Sequence, residues 1–451
     1  MISLKLTTLI LFFANSYIIY QFFKKNITFV VGLYSAQIFF LYLTPLAVCF
    51  IVSNSYSGYR LGSVDSAMQY LLLYNIVLIT IYSRCSTLLG RLQSKFANFQ
   101  KSYSSNRANL TAGLFIIISV FADIYLYTIG KVKGAHPSIT NLTDIAYNLS
   151  SVKIAAVIFY SNYLKTNNIK RKGSFSYLMI WIISGLTLFF NFQKYNFFIL
   201  FTLFVYLHIK FISLHKKKFI GCLIFISLIY VLIAPIFNLY KYGNNTLASS
   251  IDLGLEKFVI PVNYPNYKEG IKINWFIKIA FLIREGFFNL FADRLNYLGP
   301  LSRIFELGSF ERAINYSAYF DNIIGLVPRF AWPDKPFIGI NGNIIGHDLN
   351  ILDTNDNLTS ISLGSIGESY YLLGWYGIAI AAFQGLLMAL LDKFSLYKNY
   401  ILSVIYFFIS FEIVLISSYS ILIPKIVKII LIYIILILVF EKFFVRKRYL
   451  T

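Results

Sequence analysis

The chain has 451 residues, of which 58% are hydrophobic and only 13% charged, and its mean hydropathy is +0.67. Soluble domains carry about 25% charged residues. Half that share cannot cover so much apolar side chain, which excludes an ordinary soluble enzyme, a disulfide-built secreted scaffold and a disordered chain. The net charge of +21 leaves two readings, a nucleic-acid binder or a membrane protein whose basic residues mark one side of the bilayer.

Apolar runs of roughly 20 residues, the length a spanning helix needs, organise the chain. The first, Ser3–Phe22, has no basic region beyond Lys5 and no small-residue cleavage site, and reads as a retained helix rather than a signal peptide. Ile27–Ser53, Ser66–Tyr82, Asn109–Gly130 and Ile145–Leu164 come next, then Phe175–Phe192, Phe197–Leu214 and Phe219–Tyr240. After a long interval follow Tyr370–Leu391, Tyr400–Tyr419 and Ile423–Phe440. The expected fold is an all-α polytopic membrane protein of about eleven transmembrane helices. About eight fall in residues 1–240, a large loop occupies 241–367, and about three lie in 368–451.

Charge placement separates the two readings of the net charge. Basic clusters at Lys24-Lys25, Arg84–Arg107, Lys165–Lys172, Lys210–Lys218, Lys393–Lys398 and Lys442–Arg448 fall on every second loop. They hold 21 Lys/Arg against two carboxylates, Asp392 and Glu441. That is the positive-inside pattern, and it makes the C-terminus cytoplasmic and nucleic acid an unneeded partner. Residues 241–366 differ, with 11 basic and 12 acidic side chains, and fall on the external side. Within them Trp275–Phe291 is apolar but broken by Lys278, Arg284 and Glu285, as in a helix lying at the interface. Cys49, Cys85 and Cys222 form no CxxC pair, and with four scattered histidines no metal site is expected.

Chemistry-bearing residues gather in this loop. Asp293-Arg294 opens the series. Pro328-Arg329, Trp332-Pro333-Asp334-Lys335-Pro336 and, further on, Gly367-Glu368 with Gly374-Trp375-Tyr376-Gly377 complete it. Three prolines in nine residues forbid regular helix and stiffen the backbone. Arg329 and Lys335 are thereby held six residues apart with Trp332 between them. A guanidinium fork and an ammonium fixed this way suit a diphosphate. A structural turn, its charges solvated or paired with Asp334, is the other reading.

These motifs resemble the Wzy family of O-antigen and capsule repeat-unit polymerases. The string Pro328–Pro336 and the Gly367-Glu368 helix start carry the likeness, together with many spans and one large loop before the last few. The resemblance implies a bacterial inner-membrane, multi-pass glycosyltransferase of the GT-C type with a periplasmic catalytic loop. Its substrates would be undecaprenyl-diphosphate-linked oligosaccharides. Neither a metal nor another cofactor would be used, inversion at the anomeric carbon is expected, and a chain-length-regulating co-polymerase and a flippase would be partners. Arg329 and Lys335, and less firmly Arg294 and Lys194, would face the diphosphate, with Trp332 and Asp334 on the same frame. Glu368 or His347 would take the proton of the attacking hydroxyl. Glu368 could instead cap the helix that follows it, and His347 could be an incidental loop residue. Asp348, Asp353 and Asp356 show no spacing that favours a glycosidase.

Ionisable residues inside apolar runs are functional suspects. Asp123 and Lys153 are expected to pair with each other; Glu412 either faces a groove or bonds a Ser or Tyr nearby. An O-antigen ligase, which would pair the loop arginine with a histidine such as His347, is the neighbouring alternative. A non-enzymatic flippase or transporter is the alternative from another class, and would be expected to show repeated halves.

Overall fold

The computed structural model describes residues 4–24, 27–51, 63–93, 105–128, 149–166, 201–207, 296–307, 323–327, 342–352, 361–395, 400–416 and 422–445, with isolated positions at 146, 199, 221 and 332. Every regular element among them is helical. Four are long and apolar enough to cross a membrane: Leu4–Phe23, Phe29–Val48, Val64–Leu89 and Gly364–Lys393. The spans expected at Phe175–Phe192 and Phe219–Tyr240 and the amphipathic segment Trp275–Phe291 lie outside the described residues, apart from Gly221.

The chain divides into two compact units, residues 1–104 with 295–451 and residues 105–294. In the first, α1 (Leu4–Phe23) is followed by α2 (Phe29–Ile38), a π turn (Phe39–Leu43), α3 (Thr44–Ile51) and α4 (Val64–Gln93). In the second, α5 (Ser105–Thr128) packs on α6 (Val152–Thr166). The first unit resumes with α7 (Leu298–Glu306), α8 (Gly342–Asp348), α9 (Gly364–Leu373), a 3₁₀ turn (Gly374–Gly377) and α10 (Ile378–Ser395). It closes with α11 (Tyr400–Phe411), a second π turn (Glu412–Ile416) and α12 (Leu422–Val445).

The α4–α10 pair is the spine of the first unit. Tyr82 bonds Asp392, Gly385 sits against the Leu78 carbonyl, and Gly377 sits against Tyr70, so the two helices run parallel. Close approach explains the glycines: a Cβ on Gly385 would lie 2.6 Å from the Leu78 oxygen. Lipid tails are as apolar as leucine, so small residues that let backbones meet replace the hydrophobic drive of a soluble core.

At one end of the spine, Asp392 accepts hydrogen bonds from Thr28 Oγ1 (2.7 Å), Tyr406 (3.1 Å) and Tyr82. The Asp392 network ties the start of α2 to α4, α10 and α11. Lys24, Arg84 and Lys393 belong to this same end. Asp392, counted above with a basic loop, is instead a buried helix residue.

The first π turn has a cause in the sequence. Pro45 has no N–H to offer the Leu41 carbonyl one turn back, and its ring crowds that carbonyl. The helix widens, and Leu41 O takes the Tyr297 amide instead (3.1 Å). In the second π turn, Ile413 O accepts from Gln384 Nε2 at 2.9 Å. Both turns thus present backbone oxygens to other parts of the bundle, where an unpaired one would be costly.

In the second unit, Phe115 meets Phe159 edge to face at 5.7 Å. Lys153 Nζ lies 2.7 Å from Asp123 Oδ2, and Ser150 donates to Asp123 Oδ1 at 2.6 Å. The expected pairing of these two charges is present, with Ser150 completing it.

Candidate functional site

The site is built at the spine's other end, where α4 begins and α10 starts. Tyr70, two turns into α4, is fully buried and shares a hydrogen bond with Ser369 Oγ of α9 (3.0 Å). Gly374 adopts φ +57°, a left-handed conformation that suits glycine, and separates α9 from α10. The same Tyr70 hydroxyl would meet a Cβ on Gly377, so α9, the 3₁₀ turn and α4 converge on one phenol.

Aromatic rings lock this corner. Phe305 of α7 stacks on Tyr370 with centroids 3.8 Å apart, and Trp375 stands edge-on to Tyr70, Phe305 and Tyr370. Asn296 Oδ1 accepts from the Gly299 amide at 2.7 Å and caps α7. Arg303 of α7 donates through Nε to the Leu349 carbonyl (3.0 Å) and through Nη1 to Glu306 (2.5 Å). Tyr371 of α9 donates to Asp348 Oδ2 at 2.8 Å. The end of α8 is therefore held from both α7 and α9.

Glu368 lies in the middle of α9 and is 3% exposed. The helix begins at Gly364, so Glu368 does not cap it; the capping reading is corrected, because the helix starts a turn earlier than the apolar run suggests. His347 is in the last turn of α8, half-buried, with its carbonyl accepting the Asn350 amide. Trp332 is exposed. Arg329, Lys335, Asp334, Arg294 and Lys194 lie outside the described residues, as do Asp353 and Asp356.

The residues just before Pro328 are placed. Residues 323–326 form a helical turn, and a Cβ on Gly325 would meet the Pro424 ring. Pro424 is followed by Lys425, whose Nζ lies 3.4 Å from Glu412 Oε2 in the second π turn. Glu412 is 5% exposed and packs in an element that touches α9. A lysine, which the sequence reading did not consider, is thus one partner of Glu412. Lys425 was not singled out by sequence, although a signal existed: it stands in the first turn of α12, where the helix dipole disfavours a cation.

Tyr297 joins the corner to the first π turn. Its ring stands edge-on to Tyr42 at 6.2 Å and occupies the space a Cβ on Gly364 (φ +64°) would need. Burial pushes its phenol up from the ordinary tyrosine value, against the opposing effect of a hydrogen bond with Ser362, so it stays neutral at physiological pH. Among the described residues no group of three or more His, Cys, Asp or Glu side chains could hold a metal ion. No family model, curated protein or solved structure matches the chain.

Proposed function

We propose that the protein is a membrane glycosyltransferase that polymerises undecaprenyl-diphosphate-linked oligosaccharide repeat units for a surface polysaccharide. The reading takes about eleven spans, with the basic end of the α4–α10 spine cytoplasmic and the Glu368 end external. The observation that carries it is the buried carboxylate of Glu368 at one end of the bundle, where the segment leading to Pro328-Arg329 packs on Pro424 beside Lys425 and Glu412.

In this reading Glu368 accepts the proton of a sugar hydroxyl on one lipid-linked unit as its oxygen attacks the anomeric carbon of the growing glycan. The bond from that carbon to the diphosphate oxygen breaks, and undecaprenyl diphosphate leaves with the electron pair. Arg329 and Lys335 neutralise the charge that grows on the leaving group, the largest electrostatic demand of such a step. Lys425, near the same segment and only loosely held by Glu412, adds a cation to that region. The ordered corner of α7, α8 and α9 supplies the rigid mounting a catalytic carboxylate needs.

Arg329→Ala tests the reading. The variant is expected to insert at wild-type levels and to abolish long glycan chains in cells, with Arg329→Lys restoring only short ones because a point charge lacks the bidentate fork. Wild-type ladders from Arg329→Ala would remove the proposed role.

A further inference from the structure

The first two turns of α12 carry two lysines, Lys425 and Lys428, spaced i and i+3 and so neighbours on the helix surface. Lys428 is exposed and Lys425 half-buried. General rules disfavour them there. Like charges one turn apart repel, and a helix N-terminus already carries the positive end of the dipole. In the reading above this is also the external end of the bundle, where basic residues are scarce. Glu412 holds Lys425 at 3.4 Å, longer than a close charge-assisted bond. A place that breaks several local rules at once is expected to serve function.

Apolar surface adjoins the two cations. Lys428, Leu431 and Ile435 are spaced i, i+3 and i+7 and share one stripe of α12, on which Leu431 and Ile435 are 51% and 55% exposed. Ile435 lies about 10 Å further along the helix axis than Lys428, so the stripe runs from the lysines into the bilayer. At the start of the helix, Gly325 packs on Pro424 and brings the turn of residues 323–327 to the same place. That turn bares Ile323, Leu326 and Val327. Val327 is followed directly by Pro328-Arg329.

We propose that Lys425 and Lys428, with the 323–327 turn and the α12 stripe, form the docking surface for the diphosphate end of a polyprenyl carrier lipid, whose first isoprene units lie on Leu431 and Ile435. The surface rests on the polymerase reading and locates the carrier within it. Charge and shape choose this occupant. A free diphosphate would make no use of the stripe or of the bared turn. A polyprenol without phosphate would leave both cations unanswered. A phospholipid such as phosphatidylglycerol offers one phosphate, whereas two ammonium groups on neighbouring positions match two phosphates in succession.

The test uses the purified full-length protein in detergent micelles. Thermal unfolding is followed as undecaprenyl diphosphate, undecaprenol or phosphatidylglycerol is added, since binding to the folded state raises the midpoint. Undecaprenyl diphosphate should raise it by about 2 °C at saturation, and the other two should not. Lys428→Gln leaves the Lys425–Glu412 pair in place. It should raise the concentration of undecaprenyl diphosphate needed about 10-fold, the worth of one charge-assisted hydrogen bond. Lys425→Gln should weaken binding similarly but also strands Glu412 and should unfold earlier without lipid. Lys425→Arg, which keeps the charge, is its control and should retain binding. Equal shifts from phosphatidylglycerol would make this an ordinary lipid contact and overturn the assignment. So would equal shifts from undecaprenol, or an undiminished response to undecaprenyl diphosphate in both glutamine variants. If Arg329→Ala blocks chain growth but the glutamine variants bind the lipid like wild type, the surface alone fails. If those variants lose the lipid but Arg329→Ala leaves ladders intact, the surface stands and the polymerase reading fails.

Discussion

Glu368 and Tyr70 show how much a single position reveals in sequence. Glu368 was legible as a candidate because a carboxylate beside an apolar run is expensive. Its place within α9 was not, since nothing in Leu363-Gly364-Ser365 marks a helix start: Leu363 provides no side-chain cap. Tyr70 was silent, one of 35 tyrosines, until Ser369 and Gly377 were brought to it by tertiary contact. Glu368→Gln keeps shape and removes the proposed base. The variant is expected to reach the membrane in normal amount and to lose glycan polymerisation by at least about 100-fold, the usual worth of a general base, measured as the ratio of long to single-unit chains. Tyr70→Phe removes one hydrogen bond and should cost about 1 kcal/mol, seen as an earlier thermal midpoint in detergent; an unchanged midpoint would mean the bond is not formed.

Elements were legible wherever the apolar run was long and uninterrupted. The expected Ser3–Phe22, Asn109–Gly130 and Ile423–Phe440 are observed as Leu4–Phe23, Ser105–Thr128 and Leu422–Val445. Helices outran hydropathy where amphipathic turns continue them: α4 extends to Gln93, past the expected end at Tyr82. The π turns were harder. Pro45 explains the first, but its consequence, a bond from Leu41 O to Tyr297, joins positions 256 apart in sequence. The second carries no proline, and its sequence gives no sign of it. In the second unit, Lys153 and Asp123 are both nearly buried. Removing one charge strands the other, so Asp123→Asn should cost about 3 kcal/mol, while Asp123→Asn with Lys153→Met should recover most of the loss. Additive losses in thermal or denaturant unfolding would argue against a direct pair.

At the scale of the molecule, composition and charge alone pointed to a membrane protein, because they are sums over all residues and need no contact. The bundle agrees in one respect that sequence could not guarantee. Helix direction and the Asp392 network gather Lys24, Arg84 and Lys393 at one end, away from Glu368. The clamp proposed from Arg329 and Lys335 was legible only as a string, since spacing does not say what a stiff turn faces. The most direct measurement of the central claim is the glycan left by cells from which the gene for this chain is deleted. Loss of a repeat-unit polymerase predicts single repeat units on the final acceptor, restored to a full ladder by the wild-type chain and not by Arg329→Ala. Polymer retained on the carrier lipid, or no repeat units outside the membrane at all, would contradict it and favour a ligase or a flippase respectively.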